Sequence, residues 1–472
     1  MTRPEADSTG MLPTTRRSNV PSTVPTAGRW GILGRLAGRL DRSLATLQAR
    51  QPGADRQMLA AIMVAAVLFA VFPAANFLSG RFAMDYDLWY FTAENFLHHR
   101  PIYPADTQLS FIYPPSAAAM LASLSALGRP AFILVPLALN TVSWIASAAH
   151  TVWLVTGATR RQHPLLVLLP SLAMAFWIWD TYLLGQPSLG LLALMLAAFA
   201  CLRRRRPALA GALIATATAI KAYPALAIVY LVYRRHWKAT FATLVSLAGW
   251  LLVVPLAFRS PATAVKELAT WSRKVVMTYD DSGMSERGVR AFSYRNQSVM
   301  GVANRLLRPV PADGEADVGW KVNVASLGFD TVNAVIVIVM LALAAFYLRC
   351  MPRGRAPTTR EDSLEWAMLL LLIALVTPLS WNYGFVWMLY PLGVATKMML
   401  DAPPLSRERL RTAGWLALSL LVQGTALPMR RGAQAYGCVF FSAVILLIGL
   451  GLALRRISTD EQDAGSPLPE RS

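Results

Sequence analysis

Residues 57–100 read QMLAAIMVAAVLFAVFPAANFLSGRFAMDYDLWYFTAENFLHHR, and the two halves of this stretch decide the fold. Gln57–Leu78 carries no charged residue and is long enough to cross the hydrocarbon core of a bilayer as a helix, which takes about 20 apolar residues. Directly after it, residues 84–100 form a polar loop that places Asp85, Asp87 and Glu94 among aromatic residues. Charges at membrane depth are expensive and usually functional, so this carboxylate-bearing loop is the first place to look for chemistry.

Working outward, comparable apolar runs recur at 237–258, 329–348, 364–379 and 435–454. The 472-residue chain is 55% hydrophobic and only 15% charged, with a mean hydropathy of +0.43, too little polar surface to cover a soluble core of this length. The sequence therefore reads as an all-α polytopic integral membrane protein. The net charge of +19 does not point to nucleic acid, because the basic residues sit in an N-terminal tail and in short loops. Those are Arg160 and Arg161, residues 203–206, Arg234 and Arg235 with Lys238, and residues 349–360 and 407–411. That is the pattern of cytoplasmic loops under the positive-inside rule, with anionic membrane lipids as the expected partners. Cys201, Cys350 and Cys438 stand alone in or beside apolar segments, with neither disulfide nor metal spacing.

Residues 1–56 read as a basic cytoplasmic tail, disordered over 1–28, and 456–472 as a second tail. Within 29–50, Trp30, Leu33, Leu36, Leu40, Leu44 and Leu47 share one helix face with arginines opposite, the signature of an interfacial helix. The first apolar run starts too late to be a signal peptide. With the tail inside, residues 80–113 and 259–326 become external regions around a membrane domain at 57–455. Residues 207–233 lie between two basic clusters and must enter and return, as two half-depth helices meeting near Lys221, Ala222, Tyr223 and Pro224. Residues 114–159 need an odd number of crossings yet contain two apolar runs, so either 131–156 is broken or one run lies in the interface. No internal repeat of the kind found in many transporters is visible.

Asp85 and Asp87 can present a general base at the membrane surface; the alternative is a polar helix end facing solvent. Lys221 interrupts a long apolar stretch and would be satisfied by an anionic ligand such as a phosphate ester; the alternative is snorkelling. Gly185, Gln186 and Pro187 separate two apolar runs, as a site element or as an ordinary turn. Arg295, Asn296 and Gln297 offer guanidinium and amide donors suited to phosphate oxygens and sugar hydroxyls, or form a solvated loop. Trp381, Asn382 and Tyr383 end a further span, as a sugar platform or as belt aromatics. Adjacent His98 and His99 lack helical ligand spacing and read as solvated. Every polar cluster except the basic turns falls on the external side, which suits a reaction with a phosphate leaving group.

The ordered motifs are D-Y-D-L-W-Y, A-E-N-F-L, P-I-Y, F-I-Y-P-P, L-L-G-Q-P, A-G-A-L-I-A-T-A-T-A-I-K-A-Y-P, R-R-H-W, N-Q-S and P-L-S-W-N-Y, from about residue 80 to about 390. In order and spacing they resemble glycosyltransferase family 87, polyprenol-phosphate-dependent mannosyl- and arabinofuranosyltransferases of the GT-C superfamily. The resemblance implies a GT-C-type fold with about 11–13 transmembrane helices, some broken or half-length. It implies Asp85 as the catalytic base with Asp87 in reserve, and Lys221, helped by Arg295, at the donor phosphate. Gln186, Tyr223, Asn296, Gln297, Trp381, Asn382 and Tyr383 would bind substrate. One departure stands out: relatives often carry histidine just after the S-W pair, where this chain has Asn382 and Tyr383, so that role passes to Tyr383 or Arg295.

The implied reaction is a single, inverting displacement on the external (periplasmic) face of a bacterial inner membrane. It moves a hexose, with mannose the commonest family theme, from a polyprenyl-phosphate sugar to a lipid or glycan acceptor. No cofactor or metal is called for, and no nucleotide-binding motif is present. Arabinofuranosyl transfer is the alternative within the family. Outside it stands a transporter or lipid flippase, which would spread functional polar residues through the membrane depth. A non-catalytic scaffold would tolerate Asp85→Asn and Lys221→Ala together.

Overall fold

The computed structural model describes residues 54–103, 111–157, 164–277, 279, 292–313 and 319–465. The expected tail and its interfacial helix at 29–50 lie outside these residues. Among the described residues the chain is helical, and its sole pairing of extended backbone is an isolated antiparallel bridge between Asn296 and Trp381.

Among the described residues six helices are long and apolar enough to cross a membrane: Gln57–Leu78, Arg129–Thr156, Leu165–Leu184, Trp237–Leu256, Phe329–Cys350 and Cys438–Thr459. Val64, Leu68 and Val71 on the first and Ile338 and Leu341 on the fifth are exposed, as lipid-facing side chains are. The chain is a multi-pass membrane protein. Shorter segments run among them: α6 (Ser188–Arg203), α7 (Pro207–Ile220), Tyr223–Tyr233, α13 (Thr359–Val376), 382–401 and α15 (Arg407–Gly424).

Polar contacts sort the termini of these segments into two ends. At one end Arg203 donates to the carbonyls of Leu154 and Thr359 and to the Ser363 hydroxyl. Arg234 pairs there with Glu365 and donates to the Pro352 carbonyl, while Arg355 and Ser458 both hold Glu361. Arg203 and Arg234 thus grip the start of the same helix, α13, so the chain between them does enter and return. The turn falls where the sequence places it. Pro224 lacks an N–H, and in a continued helix its ring would meet the Ile220 carbonyl, so α7 stops at Ile220 and Lys221 is extended (φ −150°, ψ 133°). The Ser116 hydroxyl takes up the Ala219 carbonyl that the break leaves without its helical partner, at 2.7 Å.

The question over 114–159 is settled by length and placement. Arg129–Thr156 is a single helix of 28 residues that accommodates Pro136. The preceding run forms only an 11-residue helix, Pro115–Ser125, which begins and ends on the side of the molecule opposite the basic clamps and does not cross. Two other expectations change. The expected external loops carry helices, Asp85–Leu97, Pro261–Trp271 and Val299–Leu307. The first two regions are tied together by the buried Arg259–Glu267 pair at 3.1 Å and by Arg259 donating to the Arg100 carbonyl at 2.7 Å. The last helix also runs on to Gly465, beyond the boundary drawn at residue 455.

Candidate active site

Asp85 and Asp87 open the helix Asp85–Leu97, a favourable place for carboxylates because the helix N-terminus carries partial positive charge. They follow the end of the Gln57–Leu78 helix, as the sequence implies, and lie in the first turn of the next one. Residues two apart on a helix point about 200° apart, so the two acids face different surroundings. Asp87 turns back on its own turn: Oδ2 accepts from the Ala83 N–H at 2.6 Å and Oδ1 lies 3.7 Å from Arg129. This occupation by capping and pairing is a structural role and removes Asp87 from the acid positions facing the site. Asp85 points inward, half-buried, to the side-chain amide of Gln186.

Gln186 is placed by a Schellman motif at the end of Leu165–Leu184. The Gly185 N–H bonds the Tyr182 carbonyl at 3.3 Å and the Gln186 N–H bonds the Thr181 carbonyl at 2.9 Å. Gly185 has φ +71°, and a Cβ there would lie 2.9 Å from the ring of Tyr86, so glycine is required for both conformation and space. The fully buried Gln186 amide then bridges the site. Its nitrogen donates to Asp85, and its oxygen accepts from Lys221 Nζ at 3.3 Å and from the Tyr113 hydroxyl at 2.9 Å.

Lys221, held at the helix break, places Nζ 5.3, 5.8 and 5.2 Å from the ring centres of Tyr113, Tyr223 and Tyr383. Such rings stabilise an ammonium without neutralising it. Among the described residues Lys221 forms no ion pair. It opens on a small pocket whose walls include Tyr223, Thr377, Ser380, Trp381 and Tyr383. Asp85 is not a wall of this cavity and connects to it through Gln186 and Lys221. Arg295, partly buried, lies within electrostatic reach of Asp85 and pairs with no carboxylate among the described residues. Burial pushes the Asp85 carboxyl above the ordinary range, against the opposing pull of the Gln186 amide, Lys221 and Arg295.

The remaining candidates stand behind this group. Asn296 donates to the Pro378 carbonyl at 2.9 Å and its oxygen accepts from the N–H groups of Ser298 and Ser380. Gln297 donates to the carbonyls of Tyr294 and Gln434. Both are fully buried, and the N-Q pair clamps two backbone segments together. Asn382 is likewise buried, donating to Asp180 at 3.2 Å and to the Gln434 side chain at 3.1 Å. Its amide is thus taken up inside the protein. Trp381 and Tyr383, its neighbours, do reach the cavity. His98 is exposed beside Glu94 at 3.5 Å.

Sequence reasoning passed over three residues. Tyr113 was noted only inside F-I-Y-P-P. Asp180, buried and paired with Arg430 at 2.9 Å, carried a usable signal, being a lone carboxylate in the apolar run F-W-I-W-D-T-Y-L-L. Arg305 carried none: its buried guanidinium donates to the carbonyls of Ser293, Asn296, Gln434 and Ala435, linking the 292–297 segment to the 430–435 helix.

The model of Glycosyltransferase family 87 matches residues 111–378. A polyprenol-phosphate-mannose-dependent alpha-(1-2)-phosphatidylinositol mannoside mannosyltransferase of Mycobacterium tuberculosis is 25% identical over 79% of this chain and 86% of its own length. Its namesake in Mycolicibacterium smegmatis is 25% identical over 82% and 88%. Among solved structures, ArnT from Cupriavidus metallidurans bound to undecaprenyl phosphate aligns with 88% of this chain and 79% of that one, at 15% identity and a TM-score of 0.38.

Proposed function

The chain belongs to glycosyltransferase family 87, and from that membership and the site geometry we propose that it moves a sugar, mannose, from a polyprenyl-phosphate donor to the hydroxyl of a lipid or glycan acceptor. The observation that carries the reading is the joining of Asp85 and Lys221 through one amide, Gln186, beside a tyrosine-lined cavity. A base and a cation held close but not in contact suit a displacement in which a proton leaves one partner and negative charge grows on the other.

In this reading the sugar phosphate enters the cavity with its phosphate near Lys221 and Arg295, and its prenyl chain stays among the helices. Gln186 occupies Oδ2 of Asp85 and leaves Oδ1 to take the proton of the acceptor hydroxyl. That oxygen forms a bond to the anomeric carbon as the bond from that carbon to the phosphate oxygen breaks. Polyprenyl phosphate departs with the electron pair, and Lys221 and Arg295 offset its charge. One displacement inverts the anomeric configuration. Trp381 and Tyr383 would face the sugar ring. The basic end bearing Arg203 and Arg234 is the cytoplasmic one by the positive-inside rule, which puts the site at the external face of a bacterial inner membrane.

The test uses membranes overproducing the full chain, supplied with radiolabelled polyprenyl-phosphate-mannose, with Asp85→Asn alongside. Label appearing in a new lipid or glycan with the wild type alone supports the reading. Transfer only from the corresponding arabinofuranose donor would replace mannose, and equal transfer by Asp85→Asn would remove the base.

A further inference from the structure

A buried carboxylate inside a membrane span calls for a reason, since an apolar residue there is often as stable or more so. Asp180 has no role in the proton or phosphate steps above, and it lies on Leu165–Leu184 with almost no exposed surface. Its oxygens are 2.9 and 3.0 Å from Arg430 Nη2, and Oδ2 also accepts from Asn382 Nδ2 at 3.2 Å. Asn382 is a junction with every polar group engaged. Its backbone N–H donates to the Arg295 carbonyl at 2.9 Å, its side-chain oxygen accepts from the Tyr383 N–H at 2.9 Å, and its amide nitrogen is shared by Asp180 and Gln434. Tyr383 supplies a ring 5.2 Å from the Lys221 ammonium, and Arg295 lies within electrostatic reach of Asp85, Asp180 and Tyr383.

We propose that Asp180 is a positioning residue of the transfer reaction, fixing Asn382 and through it the placement of Arg295 and Tyr383 around the leaving phosphate. This rests on the reading of the site as a transferase centre. The carboxylate suits the task because one acceptor must serve two donors from different elements, the 382 corner and the 430–435 helix. A neutral acceptor would serve Arg430 poorly, and an apolar residue would leave the Asn382 amide with one partner. A displacement on the order of 1 Å in groups facing the reacting atoms can lower a rate about 100-fold.

The experiment measures kcat, both KM values and detergent melting for wild type, Asp180→Leu, Asp180→Asn, Asn382→Ala and the Asp180→Leu/Asn382→Ala double variant. It also measures the melting shift that unreactive polyprenyl phosphate gives each. The expected result is a kcat loss of about 10–100-fold in Asp180→Leu and in Asn382→Ala, with acceptor KM little changed. The double variant should be no worse than the worse single, because both changes break one chain of contacts. Asp180→Asn, which keeps an acceptor oxygen for Asn382, should recover most of the loss.

Wild-type kcat in Asp180→Leu overturns the inference, as do losses that multiply in the double variant, an Asp180→Asn as impaired as Asp180→Leu, or losses that follow melting alone. If stranded Arg430 prevents Asp180→Leu from folding, Asp180→Leu/Arg430→Met takes its place, judged by the same kcat criterion. A wild type with neither transfer nor a lipid-induced shift overturns the transferase reading itself. An active wild type with an equally active Asp180→Leu overturns only the positioning role.

Discussion

Lys221→Met is the sharpest test of the site because it removes one charge and little else. The methionine stem follows the path of the lysine stem and can pack among the same three tyrosine rings. What is lost is an ammonium with one hydrogen bond, to Gln186 at 3.3 Å, and no ion pair among the described residues, so nearly its full charge is available to a ligand. A charge pair at about 4 Å in surroundings of effective dielectric 20 is worth about 4 kcal/mol. Removing one donor that stabilises developing charge typically costs about 2.7–4 kcal/mol. About 3 kcal/mol corresponds to a kcat about 150-fold below wild type. The assay is initial-rate transfer over a range of donor concentrations, with labelled polyprenyl-phosphate-mannose in detergent.

The same variant should move the pH profile. Asp85 is raised first by burial, and Gln186, Lys221 and Arg295 act against that rise. The base works ionised, so kcat/KM falls as pH drops through the Asp85 value. Losing the cation makes ionisation harder, and the acid limb should shift to higher pH in Lys221→Met. A kcat within threefold of wild type would refute the role at the leaving phosphate, and so would a raised donor KM with unchanged kcat, which marks uniform binding. An acid limb that stays in place would show that Lys221 and Asp85 do not sense each other.

Asp85→Asn should lower kcat by about 10²–10⁴ while leaving melting intact, whereas Asp87→Asn should keep kcat within several-fold and lose about 1 kcal/mol of stability, read by thermal unfolding. In the wild type, the acid limb of kcat/KM should lie above the ordinary carboxylate value of 3.8, because burial is the largest influence on Asp85. Gly185→Ala drives a methyl group against the Tyr86 ring in a left-handed conformation, and should lower both melting temperature and kcat, by about 1–3 kcal/mol in stability. Gln186→Ala should lower kcat and move the acid limb to higher pH, because the amide hydrogen bond that opposes the effect of burial on Asp85 is lost; an unmoved limb would show that the amide does not support the ionised carboxylate.

The sequence disclosed the membrane class and the break at Lys221 because each depends on local rules: apolar run length and the missing N–H of Pro224. What it did not disclose depends on which way a side chain faces. Read as a loop, 84–100 left Asp85 and Asp87 interchangeable; on a helix they diverge by about 200°, and one is spent on Ala83 and Arg129. Asn296 and Gln297 have the donors a sugar would want, but only the fold shows those donors occupied by carbonyls from residues 378 and 434. Arg305 and Gln434 meet across more than a hundred residues of chain, a pairing no motif encodes.

The separation of Asp85 from Lys221 explains why the site is built around a neutral amide. A direct ion pair in a poorly hydrated site would hold Asp85 ionised too firmly to accept a proton readily, and would use up the charge the leaving phosphate needs. Gln186 avoids both. Its nitrogen can only donate and its oxygen can only accept, so with Asp85 on one side it must turn the oxygen toward Lys221 and Tyr113. The amide thus orients base and cation toward a common space without letting either quench the other. The three tyrosine rings complete the arrangement by surrounding the ammonium with polarisable but uncharged faces. This arrangement depends on the backbone delivering Gln186 in one orientation, which traces to Gly185 pressed against Tyr86, whose own hydroxyl is anchored on the Tyr182 carbonyl at 2.9 Å. The helix that begins with Asp85 and the helix that ends before Gln186 therefore lock each other, and the placement of the Gln186 amide against Asp85 follows from that lock.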